Sequence, residues 1–350
     1  MKFQARFLSV TVVIFLLATS LISPQRGEAA NTEHPALRIG VYRASVWSLP
    51  IFAAESQGFF AKNGLQVNLV PVTSGPNALA ALAGGSIDVF SASPELVLPA
   101  VARGVKVQVI SGMTKMFWEL LANDTVAKQT TSYPASLQVL KGKKIGVIAL
   151  GSNSDAMLQA MLADAGIPLA DVTRVSVGIG PTAAAALDQN LVQAVVTAPP
   201  ASYDTLSSGH SYVLADLRNP AIGPSSIRNM DYEANWAESA YIKANPAVIS
   251  QFQKALCQAV EWLQAPANRE AVKKFVATTM PDPAVLKNID LVVSENIGVF
   301  TATYSVESLQ AYNTFDLRYG FLKKELSNIA DLLAPGVPTD AAAARRLALQ

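Results

Sequence analysis

Small hydroxyls, amides and glycines gather at a few points of this chain, each between a β-rich run and an Ala/Leu-rich run. Gly151-Ser152-Asn153-Ser154 is the fullest of these clusters. Thr73-Ser74-Gly75 and Ser91-Ala92-Ser93 are built alike, and Gly178 and Thr197 stand at two further junctions of the same kind. Ser, Thr and Asn cap helices by accepting from the first free N–H groups. The same N–H groups, with the helix dipole behind them, attract an anion or a polar head group. Arg43 lies just past the first β-rich run, where a guanidinium would pair bidentately with a carboxylate or sulfonate. Trp47, Trp118 and Trp236 stand near these points and would supply an apolar wall. The chemistry expected is non-covalent capture of a small polar-headed organic molecule.

Covalent chemistry has little to work with. There is no Gly-x-x-x-x-Gly-Lys-Ser/Thr run, no Gly-x-Gly-x-x-Gly fingerprint and no Gly-x-Ser-x-Gly elbow. Gly178-Ile179-Gly180 lacks the third glycine, and neither His34 nor His210 has a neighbourhood suited to a base. One Cys cannot form an internal disulfide, and one Cys with two His cannot build the usual four-ligand Cys/His zinc cluster. Cys257 falls in a helical pattern and is expected to be buried and inert. No cofactor and no metal is expected. A formal net charge of +1 gives no general pull towards nucleic acid. Apolar residues make up 51% of the chain and charged residues 15%, which predicts a large buried core.

The elements that must position these clusters alternate. Strands are expected near 37–42, 66–71, 87–90 and 105–110, and again near 144–149, 172–177, 193–197 and 212–215. Helices are expected near 49–62, 76–83 and 94–102, then near 154–165, 181–189 and 199–208. The two sets match at an offset of 105 residues: Gly75-Pro76 with Gly180-Pro181, Leu82 with Leu187, Pro94 with Pro199, Gly104 with Gly209. Pro is favoured in a first helical turn and Gly just past a last one, so each identity has a structural reason. This predicts two α/β lobes of similar build, with mainly parallel sheets and helices on both faces. From about residue 222 the pattern turns helical, and the tail from Pro335 is expected to be loosely attached.

The lobes are expected at 36–114 with 222–334 and at 115–221, followed by a tail at 335–350. The crossings are expected at 114–121 and 216–227. In open parallel sheets ligands bind beyond the carboxyl ends of the strands. That rule names the loops 43–48, 73–75, 91–94, 149–154, 178–180 and 197–199.

The N-terminus reads as an address. Lys2 and Arg6 precede an uncharged run from Phe7 to Ile22, and Gly27 and Ala29 stand at −3 and −1 of a cut after Ala29. This is the layout of a cleavable secretory signal, so the chain is expected in the periplasm.

Four segments carry a family resemblance. They are Pro50-Ile51-Phe52-Ala53-Ala54-Glu55-Ser56-Gln57-Gly58-Phe59-Phe60 with the run on to Val67, Ala80 to Val89, Leu140-Lys141-Gly142-Lys143-Lys144-Ile145-Gly146-Val147, and Asn245-Pro246 with its helix to Leu263. In order and spacing they resemble the periplasmic solute-binding proteins of ABC importers for nitrate, sulfonates, taurine and thiamine-precursor pyrimidines. The resemblance implies an α/β, two-lobe type II periplasmic-binding-protein fold that closes on its ligand like a flytrap. It also implies delivery to an inner-membrane ABC permease. It places Arg43 and Trp47, Thr73 and Ser74, Ser91 and Ser93, and Gly151 to Ser154 along the cleft. One enzyme branch of the superfamily makes a pyrimidine with a Cys-rich motif, which a single Cys does not supply. The expected protein is a non-enzymatic monomer that binds a small anionic organic solute. The alternatives are a ligand sensor docking to a receptor and an enzyme on the same fold.

Overall fold

The computed structural model describes residues 36–43 and 45–350; the expected leader at 1–29 and His34 lie outside them. Among the described residues no helix is long and apolar enough to cross a membrane. The strands are β1 (Leu37–Val41), β2 (Val67–Pro71), β3 (Val89–Ala92), β4 (Val107–Gly112), β5 (Glu119–Asn123), β6 (Lys144–Val147), β7 (Thr173–Ser176), β8 (Ala194–Thr197), β9 (Ser211–Asp216) and β10 (Ala234–Glu238). The helices between the early strands are α1 (Leu49–Ser56), α2 (Phe59–Lys62), α3 (Gly75–Ala83), α4 (Pro94–Ala102), α5 (Asn153–Asp164), α6 (Pro181–Asp188) and α7 (Ala201–Ser207). After β10 come α8 (Ser239–Ala244), α9 (Pro246–Gln264), α10 (Arg269–Thr279), α11 (Pro283–Lys287), α12 (Ile289–Asn296), α13 (Val306–Arg318) and α14 (Ala341–Leu349).

Two five-stranded sheets form, in the orders β2-β1-β3-β10-β4 and β7-β6-β8-β5-β9. The orders are equivalent position by position, and the internal repeat shows in them. Glycine-proline opens both α3 and α6, which follow β2 and β7. In each sheet one strand runs against the rest: β10 pairs antiparallel with β3 and β4, and β5 with β8 and β9. These two strands are absent from the periodicity reading. Each follows a crossing, so each sheet is completed by chain arriving from the other.

The crossings occupy 113–118 and 217–233 and lie side by side. The Tyr232 N–H donates to the Thr114 carbonyl at 2.8 Å, and the Met113 N–H to the Glu233 carbonyl at 2.9 Å. A bridge between Lys115 and Asp231 continues the pairing.

Local chemistry accounts for the element ends. Ser74 caps α3 by accepting from the Asn77 N–H at 3.3 Å. The helix expected over 49–62 breaks because Gly58 turns left-handed, at φ +72°. On α9, Val248, Ile249, Phe252, Leu256 and Leu263 recur at helical spacing and are buried. Cys257 is buried among them. The tail is not loose: α14 packs on α9, where Gln258 donates to the Ala348 carbonyl at 3.0 Å. Gln253 likewise holds the Pro335 carbonyl at 3.0 Å.

Candidate functional site

Loops at the carboxyl ends of the strands of both sheets meet around three adjoining cavities. One, of about 10 Å³, is lined by Tyr42, Trp47, Thr73, Ser74, Ile148 and Asn153, among others. A second of similar size is lined by Trp47, Trp118, Gly178, Gly180, Thr197 and Pro200, among others. A third, of about 780 Å³, continues past Gly180 and Pro200 and takes in Arg43. Trp47 follows β1 in the first sheet and Thr197 ends β8 in the second, so one small cavity is walled from both sides.

Aromatic rings form the shared wall. The Trp47 ring meets Tyr42 edge-on at 5.8 Å, Trp118 at 5.0 Å and Phe117 at 4.9 Å between centroids. Trp47 is 3% exposed, and its Nε1–H has no hydrogen-bond partner among the described residues. The Trp118 Nε1–H donates to the Tyr232 hydroxyl at 2.7 Å, which donates to Glu95 at 2.8 Å. A buried donor without an acceptor costs free energy, which makes the Trp47 N–H a natural contact for a ligand.

The loop 149–154 is held by its own side chains. Ser154 Oγ accepts from the Ile148 N–H at 3.0 Å, and Ser152 Oγ stands 3.0 Å from it. The Gly151 N–H donates to Asp155 at 2.8 Å, and Arg174 holds the same carboxylate. Asn153 faces a cavity and donates from Nδ2 to Glu233 at 2.8 Å. Its partner is the far end of the second crossing, so this bond joins α5, beside the second sheet, to the strand entering the first.

Two carboxyls therefore stand behind the inner wall with no cation paired to them among the described residues. Burial pushes Glu233 up to about 8; neighbouring Glu95 adds to the shift and Asn153 opposes it. Burial also raises Glu95 to about 7, against the hydrogen bond from the Tyr232 hydroxyl. Deeper in, burial and then Glu95 raise Asp316 to about 9. At neutral pH such groups keep protons that exposed carboxyls release.

Of the residues singled out from sequence, Trp47, Thr73, Ser74, Trp118, Asn153, Gly178 and Thr197 line the two small cavities, and Arg43 lines the large one. The others lie elsewhere. Ser91 sits inside the sheet, donating to Asn235 at 2.7 Å, and Ser93 is buried beside Glu95. Gly151 turns left-handed at φ +76°, and Ser152 and Ser154 serve the loop. Trp236 is fully buried and donates to the Ala92 carbonyl at 2.8 Å; it is core, not cavity wall. Sequence reasoning missed Tyr42, Phe117 and Glu233. Tyr42 follows the first strand directly and was within reach of the strand-end rule. Glu233 carries no local signal, because only the crossing brings it to Asn153.

Two sheets of equivalent order, exchanging one strand each and sharing a cleft beyond their strands' carboxyl ends, define the periplasmic-binding-protein fold. Comparison with solved structures agrees. The chain is similar to the alkanesulfonate-binding protein SsuA of Xanthomonas axonopodis pv. citri bound to MOPS, at 20% identity and a TM-score of 0.68, covering 85% of this chain and 98% of that one. It is also similar to the periplasmic nitrate-binding protein NrtA of Synechocystis PCC 6803, at 15% identity and a TM-score of 0.70, covering 91% of this chain and 89% of that one. A putative binding protein of Brucella abortus is 32% identical over 158 residues, 45% of this chain. The match spans 46% of that relative's length. The chain belongs to the NMT1/THI5-like family, which it matches over residues 47–271.

Proposed function

We propose that this chain is the solute-binding component of an ABC importer. In this reading it is exported to the periplasm, holds a small anionic organic solute in the cleft, and presents the closed form to a permease. It acts without turning the solute over. The observation that carries the reading is the run of adjoining cavities, about 780 Å³ in the largest, walled by Arg43 and Trp47 after β1 on one side and by Gly178, Gly180 and Thr197 on the other. A ligand there touches loops from both sheets at once, so its binding energy favours the closed arrangement over an open one. The paired crossings at 113–118 and 217–233 are suited to act as the hinge, and the parts they join are the lobes 36–114 with 222–334 and 115–221. The Trp47 N–H and the aromatic wall fit a solute with an apolar body better than nitrate, which has none.

The test is a thermal-shift screen of the purified protein against sulfonates, aromatic carboxylates, pyrimidines and nitrate. A ligand at 100 times its dissociation constant stabilises by about 2.7 kcal/mol. A clear shift from one class, with the solute recovered unchanged, supports the reading. Chemical conversion of the bound solute replaces it with an enzyme. No shift from any class, with no solute found by native mass spectrometry, removes it.

A further inference from the structure

Two polar clusters join helices that cover the first sheet to helices that cover the second, and neither lines the three cavities described above. On the first side, α12 packs on α10, which packs on α1 and α9, and α13 packs on α4. On the second, α5 packs on β6 and β8, and α7 on β9 and α6.

In one cluster the Tyr203 hydroxyl of α7 donates to Glu295 of α12 at 2.7 Å and accepts from Asn296 Nδ2 at 3.1 Å. Arg218, held by Asp216 and Glu119, stands 3.6 Å from the same Glu295 oxygen. In the other, Asp164 at the end of α5 accepts from the Tyr319 hydroxyl at 2.5 Å, just past α13, and Arg318 stands 3.5 Å away. Tyr133 donates to the second oxygen of Asp164 at 2.8 Å, which orients the carboxylate from its own side. Burial, and then the hydrogen-bonded carboxylate, raises both the Tyr203 and the Tyr319 hydroxyl above the ordinary phenol range, so each stays a donor at neutral pH.

The clusters lie on opposite sides of the second sheet. α5 leads from β6 out to β7 at the sheet edge, and α6 leads back from β7 past β6 to β8. Right-handed crossovers that travel in opposite directions put their helices on opposite faces, and α7 packs with α6. A single contact leaves a hinge free to swing about it, whereas two on opposite faces resist both bending and twisting.

Resting on the solute-binding reading, we propose that Tyr203–Glu295 and Tyr319–Asp164 are a pair of clasps: positioning residues that touch no solute and hold the cleft closed. The closed arrangement is then well populated before a solute arrives, and escape of a bound solute requires both contacts to break. A binding-competent state that is already populated lowers affinity less than one that is rare.

The test is small-angle X-ray scattering of the purified protein, shown to be solute-free by native mass spectrometry, paired with denaturant unfolding. The wild type should scatter with the dimensions of the closed arrangement. Tyr203→Phe and Tyr319→Phe each remove one hydroxyl and should each shift the closed-to-open ratio roughly tenfold, a charge-assisted bond discounted for partial exposure. The clusters share no residue, so the double variant should shift it about a hundredfold, with a larger radius of gyration. Glu295→Gln with Asp164→Asn should open the cleft less, since an amide oxygen still accepts but carries no charge; should the double Phe variant fail to fold, this pair decides. Unchanged dimensions, even with a lowered unfolding midpoint, or a wild type already open would overturn the assignment. The scattering uses no solute, so its failure leaves the solute-binding reading standing. Failure of every class in the thermal-shift panel removes that reading, and with it the clasps' role in retaining a solute.

Discussion

The Asn153 side-chain amide donates a 2.8 Å hydrogen bond to the Glu233 carboxyl, both residues being buried, and so ties the start of α5 to the return crossing. Asn153→Ala would leave Glu233 with neither a cation nor a donor. An unsatisfied buried group costs about 1–3 kcal/mol. Denaturant unfolding should show a loss of that size. Asn153→Asp should cost more at alkaline pH, where Glu233 has lost its proton and two charged carboxyls face each other; a milder effect there than that of the alanine variant would contradict the geometry.

Stability should fall as pH rises. Glu95, Glu233 and Asp316 hold protons up to about 7, 8 and 9 in the fold, each raised chiefly by burial. In the unfolded chain they titrate in the ordinary carboxylate range. The folded state therefore binds more protons in between, and the contribution is complete below that range and lost through the raised values. The melting temperature should drop between about pH 5.5 and pH 9, by about 2–4 °C per kcal/mol lost. Glu233→Gln should flatten the profile, and a flat wild-type profile would refute the account.

Trp47 is both wall and core. At 3% exposure, against Tyr42, Phe117 and Trp118, its removal opens a cavity. Trp47→Ala should cost about 3–5 kcal/mol of stability, so it does not isolate binding. Trp47→Phe keeps an aromatic ring while removing the unpartnered N–H and part of the indole's bulk. It should weaken ligand binding with a much smaller change in unfolding midpoint, as paired calorimetry and denaturation would reveal.

Gly112 ends β4 where Thr303 passes over it. A Cβ there would lie 1.9 Å from the Thr303 carbonyl oxygen, and backbone cannot swing aside as a side chain does. Gly112→Ala should destabilise by about 3 kcal/mol or more, the upper end of overpacking effects. Soluble yield and melting temperature are the readouts.

Cys257 should behave as an inert thiol. Burial pushes it up to about 12, with Glu261 adding to the shift. The native protein should resist iodoacetamide near neutral pH and react readily once unfolded. Rapid native labelling would contradict its place in the core.

The strand-end rule reached Trp47, Thr73, Ser74, Asn153, Gly178 and Thr197 because loop position follows from local alternation and helix starts. It also brought in Ser152, Ser154 and Gly151, whose hydroxyls and backbone are used up inside the loop. A hydroxyl free for a ligand and one consumed as a cap look the same in sequence. Trp236 shows the same limit, because a tryptophan near a cleft reads alike whether it faces the cavity or the sheet.

Local sequence set the paired α/β pattern and the helix starts at Ser74-Gly75-Pro76 and Gly180-Pro181. These depend on residues within a few positions of one another. The tertiary structure alone decided that β5 and β10 complete the opposite sheets, that Glu233 meets Asn153 across 80 residues, and that Arg43 opens into the large cavity. Such pairings are set by where the two crossings carry the chain, and their favourable energy appears only once both sheets have packed.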